Sequence, residues 1–454
     1  MNLQQATQAM QGILVEQAPL KSNAAFQRVS IDSRRVQPGD LFVAIRGEHF
    51  DGHEFAAQAL KEGAEAVVVS EPLAVVPRIE VQDTRKALGL LAAAWLDQFA
   101  VRRVAVTGNS GKTSVKEMLA HFLAAAGQSV LATQGNFNND IGVPLTLLQA
   151  QAQHQVGVFE LGASAAGEIA WTTRLVKPEV ALITNVTGAH LAGFGSLQGI
   201  ADAKAEIFEG AAAGSVAIIN ADDDFSEFFI RCAQQQGLQI VTTAVRNTAD
   251  WQAQLLEVGV ENSRFVLTSP AGSCELLLPL PGAHQVNNCL MAMAAASALG
   301  VANDVLLAAV ATVPGVGGRL QVERQGQGLL VDDSYNANPG SVRAAIDWLQ
   351  HQAAPRVLVL GNLGELGATA AQQMSELGAY AATHAIEHLL VQGDLADFAG
   401  RSFGQQAEHF TQQSALVTRI REFLEQGATV LVKGSRSARM DEVVAAAKLT
   451  GGTH

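Results

Sequence analysis

The chain has 454 residues, of which 48% are hydrophobic and 16% are charged, and its formal net charge is -13. The length is about three times the usual domain size of roughly 150 residues, which predicts two or three domains and excludes a single small module. The negative charge would repel nucleic-acid phosphate, so nucleic acid is excluded as a favoured partner, whereas small anionic molecules stay open.

Two further observations concern the cellular compartment of the protein. The first residues lack a basic segment followed by an apolar run, and no stretch reaches the roughly 18 uninterrupted apolar residues of a membrane span. The three cysteines Cys232, Cys274 and Cys289 are an odd number without the spacing of metal ligands, so we interpret them as buried, reduced thiols. We therefore expect a cytoplasmic protein that is not inserted into a membrane.

Residues 1–83 predict a small N-terminal α/β domain. Short helical patterns alternate there with β-branched runs, such as 29–31 and 66–69, and Gly-rich turns separate them. From Thr84 onward a longer helical pattern leads into the apolar run 104–106. We therefore place the start of the second domain at residue 84.

Residues 84–314 predict a central domain with a largely parallel sheet. Continuous apolar runs recur there, with helical segments between some of them, at 104–106, 156–159, 180–183 and 216–219. This alternation is typical of βαβ units, whose strands are buried on both faces. Each run ends in polar residues, and ligands of open α/β sheets bind at such strand ends.

A turn-prone stretch at 314–318 separates this domain from a third one. The pattern then restarts, and apolar runs alternate with amphipathic helices at 329–331, 357–360, 389–391 and 430–432. Residues 315–454 therefore predict a C-terminal, Rossmann-like domain. The predicted fold class is α/β with three domains, and the stretch 314–318 is a candidate hinge for domain closure.

The most specific motif follows the run 104–106. The sequence Thr-Gly-Asn-Ser-Gly-Lys-Thr-Ser at 107–114 stands between that predicted strand and a helix with one apolar face. In this order the glycines let backbone N–H groups surround a phosphate, Lys112 reaches the terminal phosphates and Thr113 can bind Mg²⁺. The full Walker pattern has a glycine where Val106 stands, so the loop is a shorter variant. The motif predicts an ATP site formed by Gly108, Asn109, Ser110, Gly111, Lys112, Thr113 and Ser114.

Glu160 and His190 each lie just beyond a buried apolar run. A carboxylate at Glu160 can face the Mg²⁺ of a neighbouring phosphate loop, and His190 is a candidate for metal binding or for phosphate contact. From the residues alone, a solvated Glu160 and a capping or packed His190 stay open. Lys204 lies in a helical pattern and by itself has the character of an ordinary surface lysine.

The third domain carries the polar sequence Asp-Asp-Ser-Tyr-Asn-Ala-Asn-Pro at 332–339, ahead of a helix that we expect to begin near Ser341. Strand-end carboxylates and amides suit the binding of ribose hydroxyls or the orientation of a substrate, although a plain polar turn is the alternative. Arg319 follows the glycine-rich stretch, where a mobile domain can bring its guanidinium group onto phosphate.

With these motifs in place, the chain resembles the Mur ligase family over almost its whole length. The likeness is carried by the Glu160 and His190 motifs and by the segments 107–113, 134–144, 335–339 and 433–436. It implies three α/β domains: an N-terminal domain that binds a UDP-sugar, a central ATP-binding domain, and a C-terminal domain that closes over the site.

The resemblance also implies roles for individual residues. It assigns Ser33 and Arg34 to the uridine-nucleotide site. It places Asn288 at the adenine, Arg319 at phosphate and Asp333 at the ribose. Further substrate-binding residues that it implies are Asn138, Asn139, Tyr335, Asn336 and Asn338.

The implied catalytic residues are Lys112, His190 and Lys204, and the implied metal ligands are Thr113, Glu160, His190 and Lys204. Lys204 matches a lysine that carries a carbamate in several members of the family. A carbamate turns a cation into an anionic oxygen ligand for Mg²⁺, so the resemblance replaces the interpretation of Lys204 as a surface residue.

At two positions the chain departs from the family pattern. Gln285 follows His284 where the family usually has asparagine, and Asn362 stands where it usually has aspartate. Gln285 keeps an amide on a longer stem, so contact with adenine can survive in an altered geometry. Asn362 removes a charge, which puts an ionic role at that position in doubt.

The activity implied is an ATP- and Mg²⁺-dependent ligation of D-alanyl-D-alanine to UDP-N-acetylmuramoyl tripeptide in peptidoglycan synthesis. The reaction passes through an acyl phosphate, and we expect a monomer. One alternative is a sister ligase that adds diaminopimelate or lysine, or a folylpolyglutamate synthase. The other is a P-loop nucleotide switch that binds nucleotide without forming any ligated product.

Overall fold

The computed structural model describes residues 1–16, 25–47, 49–188 and 191–448. Three β-sheets follow one another along these ranges, and helices pack on their faces. This architecture confirms the predicted α/β class with three domains. The exact boundaries at residues 84 and 315 stay predictions.

The N-terminal sheet has the strands β1 (Ile13–Val15), β2 (Arg28–Ser30), β3 (Asp40–Val43), β4 (Ala66–Val69) and β5 (Arg78–Glu80). They lie in the order β1-β5-β4-β3-β2, with β2 to β5 parallel and β1 antiparallel to β5. The helices are α1 (Leu3–Ala9), α2 (Ala56–Lys61) and α3 (Thr84–Leu96), with 3-10 turns at Ser33–Arg35 and Gly52–Phe55. β3 and β4 are buried at every position, as parallel strands covered on both faces should be.

Helix α3 joins the first two units because its side chains enter two cores. Leu88 and Leu91 pack with the N-terminal sheet, whereas Ala92 and Leu96 pack with the central sheet. Asp83 caps the helix by accepting hydrogen bonds from the backbone N–H groups at 85 and 86. The predicted boundary at residue 84 therefore coincides with the start of a shared helix.

The central sheet is built from β6 (Arg102–Thr107), β7 (Val130–Ala132), β8 (Val156–Glu160), β9 (Val180–Ile183), β10 (Val216–Asn220), β11 (Gln239–Ala244), β12 (Trp251–Val258), β13 (Ser263–Ser269) and β14 (Gly272–Leu278). Their order is β14-β13-β12-β11-β10-β9-β6-β8-β7, and β6 to β12 are parallel. The helices are α4 (Lys112–Ala125), α5 (Gly142–Leu147), α6 (Glu168–Val176), α7 (Leu191–Phe194), α8 (Leu197–Ala205), α9 (Ser226–Gln235), α10 (Ala283–Ala298) and α11 (Asn303–Val310), with a 3-10 turn at Glu206–Gly210.

The order of the central strands places the phosphate loop beside two polar strand ends. β6 lies between β8 and β9, so Val106 pairs with Glu160 and Thr107 pairs with Ile183. Helix α4 then packs its apolar face into the core, where Met118 and Phe122 are at most 1% exposed. Burial of one such side chain contributes about 1.5–3 kcal/mol, which fixes the start of the helix against the sheet.

The strands β12 to β14, in which β13 pairs antiparallel with both of its neighbours, are not among the sequence predictions. Trp251 and Ala253 on β12, like Phe265 and Leu267 on β13, point into the core, and their neighbours are more exposed. This period of two is the signal for half-buried antiparallel strands. The prediction weighed continuous apolar runs instead, so these strands were missed.

The C-terminal sheet has the strands β15 (Gln321–Gln325), β16 (Gly328–Asp333), β17 (Arg356–Gly361), β18 (His388–Gln392), β19 (Ala407–Phe410) and β20 (Thr429–Lys433). Their order is β15-β16-β20-β17-β18-β19, with β15 antiparallel to β16 and the others parallel. The helices are α12 (Pro339–Leu349), α13 (Ala370–Thr383), α14 (Ala396–Phe403), α15 (Gln413–Glu425) and α16 (Met440–Ala447), with 3-10 turns at Gly367–Thr369 and Arg436–Ala438. Because β16 and β20 are neighbours, Asp333 and Lys433 lie side by side at the end of the sheet.

Helix α12 begins two residues before the expected Ser341. Asn338 is its N-cap, and its side-chain oxygen accepts a hydrogen bond from the Ser341 backbone N–H group. Pro339 occupies the first helical position, where its fixed φ is favourable. Among the helices of the described ranges, none combines the length and the apolar character that crossing a bilayer requires.

Candidate active site

The loop between β6 and α4 has two glycines that no other residue replaces easily. Gly108 has φ +140°, and a Cβ there would lie 1.9 Å from Thr184 Oγ1. Gly111 has φ +83°, and a Cβ there would lie 2.6 Å from Asn288 Oδ1. Backbone that comes this close to its neighbours in a left-handed conformation requires glycine.

Two side chains that follow β9 hold the loop in place. The backbone N–H of Ser110 donates to Asn185 Oδ1 at 3.0 Å. Asn185 Nδ2 and Thr184 Oγ1 both donate to the Ser110 carbonyl oxygen, at 3.1 and 2.5 Å. The loop is therefore preorganised by protein contacts at the N-terminus of α4, where the helix dipole favours an anion.

Lys112 folds back over the loop that precedes it. Its Nζ donates to the carbonyl oxygens of Gly108 at 2.8 Å and Asn109 at 3.4 Å. Burial lowers the pKa of Lys112, the neighbouring Arg319 lowers it further, and Glu160 opposes both effects. A phosphate bound in the loop would relieve this cost, because it would supply the missing negative charge.

Glu160 lies at the end of β8 and is only 3% exposed. Thr113 Oγ1 donates to Glu160 Oε2 at 2.7 Å, and Asn138 Nδ2 donates to Glu160 Oε1 at 2.9 Å. The backbone N–H of Glu160 donates to Thr133 Oγ1. A buried carboxylate beside a hydroxyl and an amide is the oxygen-rich donor set that Mg²⁺ prefers.

Arg319 reaches this cluster from the C-terminal domain. Its Nη2 donates to Thr113 Oγ1 at 2.9 Å, and its guanidinium carbon lies 4.6 Å from the centroid of the Tyr335 ring. Its buried Nε has no hydrogen-bond partner among the described residues. A buried donor without a partner is costly, so this atom marks a place where a ligand oxygen fits.

A second bridge between the two domains runs through Asn338. While its oxygen caps α12, its Nδ2 donates to Ser110 Oγ at 2.9 Å. Nearby, a Cβ at Gly340 would lie 2.6 Å from Thr187 Cγ2, so the backbone of α12 lies against the central domain. The C-terminal domain thereby lies directly over the phosphate loop.

The space between the two domains is a cavity of about 580 Å³, which is within the usual size of a small-molecule site. It is lined by these predicted site residues: Asn109, Ser110, Gly111, Lys112, Thr113, Ser114, Asn138, Glu160, Asn288, Arg319, Asp333, Tyr335, Asn336 and Asn338. The structure therefore brings together residues that are more than two hundred positions apart in the sequence.

The far side of the cavity is formed by the ends of β16 and β20. Lys433 Nζ donates to Asp333 Oδ2 at 2.6 Å, and both side chains are largely buried. The backbone N–H of Leu320 donates to Asp333 Oδ1. Asp333 is thus held firmly at the position where the resemblance implies the ribose.

The first turns of α10 form another wall. Asn288 is buried, and its Nδ2 donates to Gln285 Oε1 at 3.2 Å. Burial lowers the pKa of His284, so this ring is neutral near pH 7. The hydrogen bond with Gln285 orients Asn288. Although Gln285 departs from the family pattern, the two side chains still present a pair of amides to the cavity.

The structure corrects the interpretation of Lys204 as an ordinary surface lysine. It lies at the end of α8 and is only 2% exposed, and its Nζ is 5.7 Å from the centroid of the Phe194 ring. Burial and, to a smaller extent, Lys112 lower its pKa, Glu206 and Glu168 raise it, and together these effects bring the pKa from 10.5 to about 7. The amine is therefore substantially neutral at neutral pH, unlike an exposed lysine.

Other predicted residues lie away from the cavity. Ser33 and Arg34 are in the 3-10 turn of the N-terminal domain, where Arg34 pairs with Asp32 at 2.9 Å. Asn139 does not line the cavity, and its side-chain oxygen accepts from the Gly142 N–H instead. His190 lies outside the described residues, so its proposed role is not addressed by the structure.

The three cysteines are free, as expected, but only Cys289 is fully buried. Cys289 is buried in α10, and burial raises its pKa to about 12. Cys232 and Cys274 are partly exposed. Neither position is part of the cavity lining.

Sequence reasoning missed one positioning residue, Lys116 on α4. It is only 1% exposed, and its Nζ donates to the Thr133 carbonyl oxygen at 2.5 Å. Thr133 precedes the segment that carries Asn138, so this hydrogen bond from Lys116 holds the start of the segment against α4. A lysine on the apolar side of a predicted helix was the available signal, since such residues are rarely buried without a partner.

The comparisons with known proteins cover most of the chain. Three family models match it: "Mur ligase family, catalytic domain" at residues 25–96, "Mur ligase middle domain" at 106–296, and "Mur ligase, glutamate ligase domain" at 318–436. The chain is 44% identical over 429 residues to the UDP-N-acetylmuramoyl-tripeptide--D-alanyl-D-alanine ligase of Escherichia coli K12, covering 93% of this chain and 94% of that protein.

Solved structures give the same result. MurF from Acinetobacter baumannii has a TM-score of 0.92 and 35% identity, with 98% of each chain covered. A MurF ligase from Thermotoga maritima in complex with ADP has a TM-score of 0.85 and 26% identity, covering 94% of this chain and 98% of that chain.

Asn362 has a role that does not require a charge. Its Oδ1 accepts a hydrogen bond from the Ala396 N–H at the start of α14, at 3.0 Å. We therefore expect Asn362→Asp to keep activity and to change the free energy of unfolding by less than about 1 kcal/mol, because a carboxylate also accepts this bond and suits a helix N-terminus. Asn362→Ala should lower the free energy of unfolding by about 1 kcal/mol, because it removes the acceptor of this bond. Denaturant unfolding and steady-state kinetics check both, and a changed KM in the Asp variant would restore an ionic role.

Lys112→Ala should lower kcat/KM for ATP at least about 100-fold, because it removes the cation predicted to contact the terminal phosphates. The unfolding midpoint should stay the same or rise, because burial already disfavours the Lys112 ammonium group. Phosphate-release kinetics and thermal unfolding measure the two effects. Lys61→Ala, at an exposed position of the N-terminal domain, is the matched control, and near-normal activity of Lys112→Ala would contradict the role.

Proposed function

The chain belongs to the Mur ligase family, and on this basis we propose how its residues carry out the reaction. It is an ATP-dependent ligase that joins D-alanyl-D-alanine to UDP-N-acetylmuramoyl tripeptide, giving the pentapeptide precursor for peptidoglycan. The observation that carries the residue assignments is the cavity in which the phosphate loop faces Arg319, Asp333 and Asn338 of the C-terminal domain. The 44% identity to a D-alanyl-D-alanine ligase over 93% of the chain also disfavours a nucleotide switch and the sister ligases.

The first step activates the carboxylate of the tripeptide. A carboxylate oxygen attacks the γ-phosphorus of ATP, the bond to the bridging oxygen breaks, and ADP leaves behind an acyl phosphate. Lys112 and Arg319 offset the charge of the transferring phosphoryl group, because both cations lie at the phosphate loop. The protein supplies position and electrostatic stabilisation, and no side chain becomes covalently attached.

The second step forms the amide. The neutral amine of D-alanyl-D-alanine adds to the acyl carbon, the nitrogen loses one proton, and the tetrahedral intermediate expels inorganic phosphate to leave the amide. Water would hydrolyse the acyl phosphate, so its exclusion raises the yield of amide. The contacts of Asn338 with Ser110 and of Gly340 with Thr187 close the cavity on the side of the phosphate loop.

We assign the Mg²⁺ that accompanies ATP to Thr113 and Glu160, with Asn138 orienting the carboxylate. The donor set fits this ion because it offers a hydroxyl and a buried carboxylate at the end of the phosphate loop. When bound there, Mg²⁺ neutralises phosphate charge. His190 stays a proposed ligand on the resemblance alone.

We assign Lys204 a carbamate. The burial that lowers its pKa to about 7 makes the neutral amine available to attack CO₂, with loss of one proton. The product would be an anionic group near Lys112. The positive charge of Lys112 stabilises an anion there and destabilises a second ammonium group.

The remaining assignments concern the substrate and the setting. Ser33 and Arg34 in the N-terminal domain are proposed for the uridine nucleotide, with Asn139 near the rest of that substrate. The free cysteines are consistent with a reducing cytoplasm. A monomer is proposed, and light scattering at assay concentration measures it.

Phosphate release from ATP tests the function directly. We expect release to require UDP-N-acetylmuramoyl tripeptide, D-alanyl-D-alanine and Mg²⁺ together, with a pentapeptide product identified by mass. Each substrate is omitted in turn, and Mg²⁺ is removed by a chelator and then restored. Product formation with a different amine in place of the dipeptide would move the chain to a sister ligase.

The carbamate makes activity depend on bicarbonate. In CO₂-depleted buffer at pH 7 we expect a several-fold loss that bicarbonate restores. With a pKa of about 7 for Lys204, the amine is protonated below pH 7 and neutral above it. More bicarbonate should therefore be needed at pH 6 than at pH 8. Lys204→Arg should be inactive and unresponsive, whereas Lys177→Arg, on the surface, should behave as wild type; an active Lys204→Arg would refute the assignment.

A further inference from the structure

Four Lys and Arg side chains line the cavity among the described residues: Lys112, Arg319, Lys433 and Arg436. Three of them already have a function there. Lys112 and Arg319 lie at the phosphate loop. Lys433 forms a buried ion pair with Asp333 at 2.6 Å. The remaining cation, Arg436, belongs to the segment 433–436, which the mechanism above leaves without a role.

The backbone around Arg436 is firmly held. Asn362 accepts hydrogen bonds at its carbonyl oxygen from the Ser435 N–H at 3.0 Å and from Ser435 Oγ at 2.7 Å. The backbone N–H of Arg436 donates to Asn336 Oδ1 at 3.3 Å. A side chain on such a turn starts from a fixed point, which lowers the entropy lost when it binds a ligand.

The guanidinium group of Arg436 itself is open to exchange. Its side chain is 66% exposed, and its ion pair with Asp441 at 2.8 Å joins two partly exposed groups. Such surface pairs contribute at most about 1 kcal/mol. A ligand carboxylate can therefore replace Asp441 at small cost, and a planar guanidinium group can bind it with two parallel hydrogen bonds.

D-alanyl-D-alanine needs a cation of this kind. Its free carboxylate would be repelled by Glu160 and Asp333, the two carboxylates that line the cavity in the described part of the chain. A dipeptide spans roughly 7 Å from its amine to its carboxylate. Arg319 and Arg436 lie 4.6 and 6.0 Å from the centroid of the same Tyr335 ring. A dipeptide can thus reach from the phosphate held near Arg319 to the second guanidinium group.

We propose that Arg436 binds the terminal carboxylate of D-alanyl-D-alanine and so sets the orientation of its amine towards the acyl phosphate. The inference rests on the proposed function and adds a specificity residue to it. Arg319 is bound to Thr113 at the phosphate loop, so Arg436 is the cation left for a second anion. A dipeptide whose carboxylate is masked should lose this contact.

The test compares two enzymes with two substrates. Arg436→Met should raise KM for D-alanyl-D-alanine about 10- to 100-fold, the range for loss of a charge-assisted pair, with KM for ATP and for the UDP-substrate within about twofold. Wild-type enzyme should discriminate against the C-terminal carboxamide of the dipeptide by a similar factor, and the variant should not. Arg436→Lys should recover part of the affinity, because it restores the charge without the planar fork.

Arg439→Met is the matched control, because Arg439 is nearby, is 74% exposed and does not line the cavity. It should leave all three KM values unchanged. Equal use of the dipeptide and its carboxamide by wild-type enzyme would overturn the proposal, even if Arg436→Met failed to fold. A rise in KM for ATP alone would also overturn it and move Arg436 to the nucleotide. If wild-type enzyme ligated no dipeptide at all, the proposed function itself would fail first.

Discussion

The hydroxyl group of Thr113 joins the two larger domains at the site proposed for the chemistry. It donates to Glu160 at the end of β8 and accepts from Arg319 of the C-terminal domain. One hydroxyl that both donates and accepts has a fixed orientation. The position of the C-terminal domain is therefore coupled to the geometry of the group proposed to hold Mg²⁺. A small displacement of that domain would break the contact of Arg319 with Thr113 and would open the cavity at the same time.

The charges at this point are arranged for anions that arrive with the substrates. Burial lowers the pKa values of both Lys112 and Lys204, Arg319 lowers that of Lys112 further, and Lys112 lowers that of Lys204 further. In an acidic chain with a net charge of -13, such a cluster is costly without a compensating anion. The polyphosphate of ATP, bound at the proposed site, would remove that cost, and the cost removed would add to its affinity. The same cations attract the charge that develops during phosphoryl transfer.

Much of this site could be predicted from the sequence because its residues stand at the ends of apolar runs. The phosphate loop, Glu160 and the polar segment 332–339 were found in this way, and the cavity brings them together. Burial of a single charged residue was harder to predict. Lys204 lies on a helix whose composition gives no sign that neighbouring elements cover it. Such burial depends on tertiary packing, which local periodicity does not describe.

The glycine missing from the Walker pattern has a structural explanation in β6. Val106 stands at that position, is fully buried, and pairs with Glu160 across the parallel strands β6 and β8. Its carbonyl oxygen also accepts from the Leu161 N–H at 2.8 Å. A glycine here would weaken the strand by losing a packed side chain and gaining backbone freedom. Since the turn begins only at Gly108, the loop needs no glycine at 106. Val106 therefore serves the site by keeping Glu160 in register beside the phosphate loop.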